Sequence, residues 1–378
     1  MKTVRIIALH LAYGGIEKAI MSMANLFAEQ YRVEILSVYN MPGGPAFPLD
    51  ERVAVRYLLD EIPNREEWKA AVKSLNPVSA VKESVRGVRI IRDKKRAVIE
   101  AVKSVHDGVL ITTRPEDNVV LSKYGDRNVL KIAQLHQDHR FDKKLMGDFK
   151  NSYDNIDVFA LLTPQLVEEV GEMMGDNGHT RLVCVPNFLD HYPEKVELEK
   201  KKKIILAVGR LHEVKGFDRL ISCFAAVHEK APDWELRIVG EGEERGKLES
   251  LIAELGLGGC VTLTGRLDSA GVEREMLSAS IFAMTSRSEG LPFVLIEAQS
   301  CGLPAVAFDV RVGPRAVLTD GKDAFLVPDR DEKMFCEKTL ELINSETLRE
   351  QMARSAMTRS RDFSREKIKQ LWTGIIGE

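Results

Sequence analysis

Short apolar runs alternate with stretches of helical periodicity throughout the first half of the chain. The runs are typical of buried strands, whereas the stretches between them repeat an apolar residue every three or four positions. The predicted strands are Val4–Leu9, Val33–Val38, Val53–Leu58, Val109–Thr112, Val129–Leu135, Val158–Leu162 and Leu182–Val185, and the predicted helices begin near Ile16, Trp68, Ala80 and Leu166. This alternation predicts a mostly parallel, doubly wound α/β sheet.

The second half repeats the alternation after a polar, proline-containing linker, 190–203, which ends in four lysines. Its predicted strands are Ile204–Val208, Leu236–Val239, Cys260–Thr264 and Ile281–Met284, and its predicted helices are Phe217–His228, Glu244–Leu255 and Val272–Ser278. We therefore expect two doubly wound, Rossmann-like α/β domains, residues 1–188 and 189–359, that face a cleft in which a ligand binds.

Composition agrees with an ordinary globular protein of two domains. The chain has 378 residues, 44% hydrophobic and 29% charged, with a net charge of −3 that favours no particular partner and gives no reason to expect nucleic acid. Its five cysteines are widely spaced, which favours a reducing compartment over disulfides or zinc. The apolar start is short and interrupted by Arg5 and His10, so we interpret it as a strand and expect a cytoplasmic location.

The segment from Ser286 to Gly302 has the pattern of a strand end that turns into a helix. Pro292 suits the first helical turn, and Gly302 with Pro304 ends the helix. Glu289 then lies in the loop above the sheet, where free N–H groups at the helix start favour an anion. Glu297 lies about five helical positions after Pro292, roughly 7–8 Å along the axis. Two such carboxylates could bind hydroxyls at both ends of a sugar nucleotide, or they could be a helix cap and a solvated residue.

Two features of the first half point to a ligand as well. Gly14 and Gly15 connect the first strand to a helix, a unit that either binds phosphates or forms a tight turn without a ligand. His136 follows the strand Val129–Leu135 directly, at the edge where parallel strands present residues to a ligand. His139 is close in sequence, but no third residue has the spacing of a metal ligand, so we expect no metal.

Basic residues also follow the first strand of the second half. Arg210 comes after Gly209 at the strand end and Lys215 precedes the next helix, so the two could clamp a diphosphate or could simply be solvated. The nearby run Gly240-Glu241-Gly242 resembles a dinucleotide fingerprint, but its glutamates would repel a pyrophosphate. We therefore expect no NAD site.

The segment 82–103 is strongly basic. Between Arg65 and Lys103 there are eleven Lys or Arg residues against five Asp or Glu, and Val85, Val88, Ile91, Val98 and Val102 give the segment an apolar face. Such a segment either lies against anionic lipid or a phosphorylated acceptor, or is a solvated helix packed on the sheet. Peripheral membrane contact is thus one of two interpretations.

Taken in order, these motifs resemble the retaining glycosyltransferases of family four, also called glycosyl transferases group 1, which have the GT-B fold. The resemblance rests on Gly14-Gly15, His136, Gly209-Arg210 with Lys215-Gly216, Gly240-Glu241-Gly242, and Glu289 followed after seven residues by Glu297. It covers essentially the whole chain and is strongest from Ile204 to Val327. Where members of the family that build surface polysaccharides often have Cys and Glu, this chain has Val310 and Arg315-Ala316, which leaves the subfamily open.

The resemblance implies a nucleotide-sugar donor, most often linked to UDP, bound by the second domain. It implies that Arg210 and Lys215 neutralise the diphosphate, that Glu297 binds the ribose and that Glu289 lies near the transferred sugar. Gly209, Gly290, Leu291 and Pro292 would line the donor site, and Arg266 the base pocket. From the first domain, His136 would face the sugar, and Gly14 and Gly15 would approach the diphosphate and the acceptor.

The same resemblance implies retention of configuration, no metal or other cofactor, and a glycan or lipid-linked acceptor in bacterial cell-surface polysaccharide biosynthesis. A final helix at about 360–378 would pack back on the first domain through Phe363, Ile368, Leu371, Trp372, Ile375 and Ile376. Two alternatives remain: a sugar-nucleotide epimerase of the same architecture, and a catalytically silent scaffold. The epimerase would act without an acceptor.

Overall fold

The computed structural model describes residues 1–74, 76–139, 142–175 and 177–377. The chain forms two compact units. The N-terminal unit comprises Met1–Leu161, Leu166–Val185 and Trp372–Glu378, and the C-terminal unit comprises Leu162–Gln165 and Pro186–Leu371. Each unit has its own parallel sheet.

The sheet of the N-terminal unit has seven strands in the order β3, β2, β1, β4, β5, β6, β7, and all neighbours are parallel. The strands are β1 Thr3–Ala8, β2 Arg32–Tyr39, β3 Val53–Leu59, β4 Val109–Thr112, β5 Leu130–Leu135, β6 Val158–Leu161 and β7 Arg181–Cys184. At the centre, Ile6 of β1 pairs with Ile35 of β2 and Ile111 of β4, and all three are fully buried. The sequences of such buried strands are continuous apolar runs, because both faces of the sheet are covered.

The helices of the first half are α1 Gly15–Phe27, α2 Arg65–Lys73, α3 Pro77–Lys103, α4 Pro115–Tyr124, α5 Lys143–Asn151 and α6 Pro164–Met174. The long helix α3 begins with a strong start signal. Asn76 at its N-cap accepts a hydrogen bond from the amide of Ser79 at 3.0 Å, and Pro77 occupies the first turn, where its missing N–H costs nothing.

The C-terminal unit repeats the arrangement with six parallel strands in the order β10, β9, β8, β11, β12, β13. These are β8 Ile204–Val208, β9 Glu235–Val239, β10 Val261–Gly265, β11 Ile281–Met284, β12 Ala305–Asp309 and β13 Ala324–Pro328. The remaining helices are α7 Phe217–His228, α8 Arg245–Glu254, α9 Ser269–Ser278, α10 Phe293–Ser300, α11 Pro314–Val317, α12 Glu332–Asn344, α13 Glu346–Ser360 and α14 Arg365–Ile376.

Each strand predicted from the apolar runs coincides with an observed strand, and the predicted α/β class with two parallel sheets is confirmed. The predicted start of α10 is wrong by one position. Pro292 has an extended ψ of 105° and stands at the N-cap, so the helix begins at Phe293. The helix ends as expected, since Gly302 adopts a left-handed φ of 67° two residues after Ser300.

The apolar face predicted for the basic segment is divided in the structure. Val98 and Val102 are buried against the N-terminal unit, whereas Val85, Val88 and Ile91 are exposed. The predicted apolar face is therefore covered by the N-terminal unit in its second half and exposed to solvent in its first half.

The final helix α14 contributes to both units, with Arg365–Leu371 in the C-terminal unit and the residues from Trp372 in the N-terminal unit. Trp372 packs edge to face on Phe27 of α1, with ring centroids 5.3 Å apart. Leu371, which we expected on the apolar face, is instead exposed, while Ile368 and Ile375 are buried. Residue 378 of the predicted segment lies outside the described residues.

None of the helices in the described ranges combines the length and the apolar character that a membrane span requires.

Candidate functional site

The loops that follow β8 and β9 are joined at the carboxyl edge of the C-terminal sheet. The amide of Gly209 donates to the carbonyl of Val239 at 2.9 Å, and the amide of Leu211 donates to the carbonyl of Glu241 at 3.0 Å. Gly240 lies against this turn with φ 151°, and a Cβ at that position would lie 1.8 Å from the carbonyl oxygen of Gly209. The glycine of the apparent dinucleotide fingerprint thus permits a close backbone approach.

Lys215 and Glu289 form an ion pair at this edge. Lys215 ends a 3₁₀ turn, Glu213–Lys215, and its Nζ lies 2.7 Å from Oε1 of Glu289. The hydroxyl of Ser286 donates to the same oxygen at 2.6 Å. The side chain of Glu289 is only 9% exposed, whereas that of Lys215 is 26% exposed and remains accessible to an anion. The structure therefore brings together two residues that lie 74 positions apart in the sequence.

Arg210 also lies at this edge, directly after Gly209. Its side chain is exposed and makes no hydrogen bond or ion pair with any residue in the described part of the chain. All donors of its guanidinium are thus available to a ligand. The structure does not link Arg210 to Lys215 directly, so the predicted clamp consists of one paired and one unpaired cation.

The loop between β11 and α10 contains the other predicted donor-site residues. Gly290, Leu291 and Pro292 are buried, and Glu297 is half-buried on α10. Gly313, in the loop after β12, packs on this segment so closely that a Cβ there would lie 2.9 Å from the carbonyl oxygen of Gly290. The segment is therefore packed tightly against the loop after β12.

Arg266 is exposed just after β10 and lies near Glu241. The hydrogen bond from Arg245 is the main reason that the pKa of Glu241 lies below its usual value, and the charge of Arg266 adds to that effect. Arg266 therefore faces the loop after β9, at the outer side of the same edge.

Arg287 and Asp218 were missed by the sequence analysis, although they fix the geometry of this edge. The guanidinium of Arg287 binds the carboxylate of Asp218 through two hydrogen bonds, of 3.0 and 2.6 Å, and its amide donates to the carbonyl of Val214 at 2.7 Å. The bidentate pair joins the loop that carries Glu289 to the start of α7, next to Lys215. No spacing in the sequence indicates such a partner.

The carboxyl edge of the N-terminal sheet is built around Glu17, which was also missed. Glu17 lies in the first turn of α1, is 4% exposed, and accepts a hydrogen bond of 3.0 Å from Nη2 of Arg114. Its carboxylate lies 3.7 Å from Nδ1 of His10. A Cβ on Gly14 would lie 1.9 Å from Oε2 of Glu17, so Gly14 leaves room for this carboxylate, and Gly15 begins the helix.

His136 lies directly after β5, as predicted, and is half-buried. Its Nε2 is 3.2 Å from Oε1 of Gln134, whose side-chain nitrogen contacts Sδ of Met23 at 3.6 Å. With Gln134 in this orientation, Nε2 of His136 carries the proton and Nδ1 is left as an acceptor. Burial, aided by the charge of Arg114, lowers the pKa of His136 to about 4, so the ring is neutral at pH 7.

The second histidine of this segment, His139, is fully buried and lies 3.4 Å from a carboxylate oxygen of Glu169. Within the described ranges, His, Cys, Asp and Glu side chains nowhere form a group of three or more that could hold a metal ion.

Comparison with known proteins identifies the second half of the chain. Residues 190–359 match the family model described as glycosyl transferases group 1. An exopolysaccharide phosphotransferase of Streptomyces coelicolor is 30% identical over 97% of this chain, and the chain spans 39% of that protein. An uncharacterized glycosyltransferase of Haemophilus influenzae is 28% identical over 96% of both chains. The amylovoran biosynthesis glycosyltransferase AmsD of Erwinia amylovora is 37% identical over 47% of this chain and 49% of its own length.

Solved structures agree with this assignment at the level of the fold. Staphylococcus aureus TarM, in a complex with fondaparinux, α-GlcNAc-glycerol and UDP, matches with a TM-score of 0.81, 16% identity and complete coverage of both chains. Sucrose-phosphate synthase of Thermosynechococcus elongatus matches with a TM-score of 0.78, 18% identity and complete coverage of both chains. The chain therefore has the GT-B fold, and its residues 190–359 match the glycosyl transferases group 1.

Proposed function

We propose that the chain is a retaining glycosyltransferase that transfers a hexose or N-acetylhexosamine from a UDP-sugar to a glycan, lipid-linked or polymer acceptor of the cell surface. The main observation is the ion pair of Lys215 and Glu289 beside the unpaired Arg210 at one sheet edge. The exopolysaccharide and amylovoran relatives and the UDP in the TarM complex support the acceptor class and the donor nucleotide.

The mechanism follows from the charges that develop during transfer. As the bond between sugar and diphosphate breaks, negative charge grows on the leaving phosphate, and Arg210, Lys215 and the start of α10 would stabilise it. Positive charge grows at the anomeric carbon, close to where the carboxylate of Glu289 would lie. Because fixed cations take up the phosphate charge, we propose that transfer needs no divalent metal.

Retention is explained by attack of the acceptor hydroxyl on the same face of the sugar from which the diphosphate departs. An oxygen of the leaving diphosphate takes the acceptor proton, so no covalent enzyme intermediate forms. The neutral ring of His136 would face the sugar, with Nδ1 as hydrogen-bond acceptor for a sugar hydroxyl. Glu297 would bind the ribose, and Arg266 the base.

We further propose that the enzyme works in the cytoplasm, at the inner face of the membrane. Contact of the basic segment 82–103 with that surface would place the enzyme beside lipid-linked acceptors.

The test is the thermal stability of the protein with a panel of nucleotides and nucleotide sugars, in EDTA and again with magnesium. A ligand at about 100 times its dissociation constant should stabilise the protein by roughly 2.7 kcal/mol. UDP and one UDP-sugar should raise the melting temperature equally with and without magnesium. If no nucleotide does so, the donor site is wrong, and if the UDP-sugar is converted without an acceptor, an epimerase replaces the transferase.

A further inference from the structure

Helix α3 presents a row of branched aliphatic side chains to solvent. Val78, Val81, Val85, Val88 and Ile91 are each between 64% and 78% exposed. They are spaced three or four residues apart, so they form one continuous strip along the first half of a 27-residue helix. Single exposed aliphatic residues are common on protein surfaces, but a continuous strip of five indicates a contact surface.

The same side of the helix becomes basic where the aliphatic strip ends. Arg92, Lys95 and Arg96 continue the three-to-four spacing and are exposed. Lys95 makes no ion pair with any residue in the described ranges, Arg92 contacts only its neighbour Asp93 at 3.4 Å, and Arg96 lies 3.9 Å from Glu100. These three cations are thus available to an external anion.

Other basic residues of α3 already form ion pairs within the protein. Arg86 and Arg89 both bind the carboxylate of Glu61, at 2.8 and 2.9 Å, and Lys94 binds Glu116 at 2.9 Å. The available charge is therefore concentrated directly beyond Ile91, and Lys82 is one further exposed lysine, in the aliphatic half of the helix. We call this face, from Val78 to Arg96, the α3 face.

The charge of the α3 face indicates which of two binding partners it fits, a second copy of the chain or an anionic lipid surface. A second copy of the chain would place these cations against either the same cations or its own aliphatic strip, and neither arrangement supplies a counter-charge. A surface of anionic lipid offers hydrocarbon to the aliphatic strip and phosphate groups to the three cations. We propose that the α3 face binds an anionic lipid surface, with Val78–Ile91 inserted among the acyl chains and Arg92, Lys95 and Arg96 on the phosphates.

This inference deepens the proposed membrane contact but does not depend on glycosyl transfer. It differs from the interpretation of the sequence, in which Val98 and Val102 also belong to the apolar contact face. Those two residues are buried, so insertion is confined to the first half of the helix.

The experiment is flotation of the full chain with vesicles of phosphatidylcholine, alone or with about one third phosphatidylglycerol. Wild-type protein should float with the anionic vesicles only, and less at high salt. The triple variant Val81→Ser, Val85→Ser, Val88→Ser should lower the partition coefficient at least tenfold, because three inserted side chains are lost. Arg92→Glu with Arg96→Glu should lower it more than tenfold at low salt, at about fivefold per cation.

Leu255→Ser is the matched control, since Leu255 is an exposed aliphatic residue of the C-terminal unit, and it should leave flotation unchanged. Melting temperatures of all variants should equal that of the wild type because the changed side chains are exposed. Failure of the wild type to float with anionic vesicles would overturn the inference, as would a triple valine variant that floats normally. A dimer in sedimentation equilibrium that the same variant dissociates would instead assign the α3 face to self-association. UDP binding would stay intact in each case, so this failure is distinct from failure of the proposed function.

Discussion

The two sheets share the same central strand order, but their carboxyl edges are built in different ways. In the C-terminal unit, neighbouring loops approach one another through glycine backbone, as at Gly240 and Gly313, and enclose a charged pair that remains partly accessible. In the N-terminal unit, buried polar side chains such as Glu17 and Gln134 fix the edge, and burial lowers the pKa of His10 and His136. The first design is suited to binding an anion, and the second to presenting neutral hydrogen-bonding groups.

The largest effect should come from removing the cation at the C-terminal edge. Lys215→Ala should lower kcat/KM with the UDP-sugar by about 10²–10³-fold, or about 3–4 kcal/mol, because charge on the leaving phosphate loses its partner. Steady-state kinetics measure this loss, and Lys322→Ala, an exposed lysine of the same unit, is the control. Unchanged turnover in Lys215→Ala would show that the two edges do not differ in the way proposed.

A large loss of stability is expected when a side chain is added at Gly240, where two backbone segments are in close contact. Gly240→Ala should lower the free energy of unfolding by about 3 kcal/mol, because the new Cβ meets a carbonyl oxygen and the positive φ is strained. Gly246→Ala on α8 is the matched control. Nothing lies within 4 Å of its Cβ position, so it should stabilise the helix by about 0.5–1 kcal/mol. Denaturant unfolding of both variants measures the contrast, and equal stabilities would argue against a backbone-built edge.

At the N-terminal edge, the corresponding change is Glu17→Gln. It removes the negative charge that is paired with Arg114 and should cost about 2 kcal/mol of stability, since the guanidinium is left without its counter-charge. Glu34→Gln, in a more exposed pair with Arg5 and Arg56, should cost less than about 1 kcal/mol. Chemical unfolding distinguishes the two, and a smaller loss for Glu17→Gln than for Glu34→Gln would contradict a side-chain-built edge.

The smallest effect concerns Asp117 in α4, a buried carboxyl whose Oδ2 has no hydrogen-bond partner among the described residues. Burial raises its pKa to about 6, so the native state binds more protons than the unfolded state between about pH 4 and 6. The contribution of Asp117 to the free energy of unfolding of the wild type therefore falls as the pH rises through that window. Asp117→Asn should be more stable than the wild type by about 1–2 kcal/mol at pH 7, and the gain should vanish near pH 4.

His136 acts in the opposite direction in the same pH range. Its pKa of about 4 means that the native state binds fewer protons than the unfolded state up to about pH 6.5, so its contribution to stability is lost as the pH falls. The two contributions partly cancel in the wild type. Melting temperatures of the wild type and Asp117→Asn between pH 4 and 7 test this. Parallel curves would show that Asp117 does not titrate as its burial implies.

The strands and the glycine loops could be predicted from the sequence because their signals are local. An apolar run marks each of the seven strands of the N-terminal sheet, Gly209 directly follows β8, and Lys215 ends the short turn before α7. The strands β12 and β13 were missed, although Ala305–Phe308 and Ala324–Val327 are apolar runs like the others.

The side-chain partners could not be predicted, since they join segments that are distant in the sequence. Glu17 and Arg114 are separated by 97 positions, and Asp218 and Arg287 by 69. Each of these charges alone reads as an ordinary surface residue. Only the register of the sheet brings them together, and that register depends on packing throughout the unit.

In the proposed complex, binding of the donor exchanges the partners of the pair formed by Lys215 and Glu289. A diphosphate that binds Lys215 competes with Glu289 for the same ammonium group. The carboxylate of Glu289 is then released from Lys215 and needs a new hydrogen-bond donor. In the proposed complex, a hydroxyl of the sugar is the nearest such donor. Phosphate recognition and sugar recognition are then thermodynamically linked, and by reciprocity each strengthens the other. A nucleotide that lacks the sugar would break the pair without this compensation, so under the proposed function the charge pair would favour the intact donor over its product.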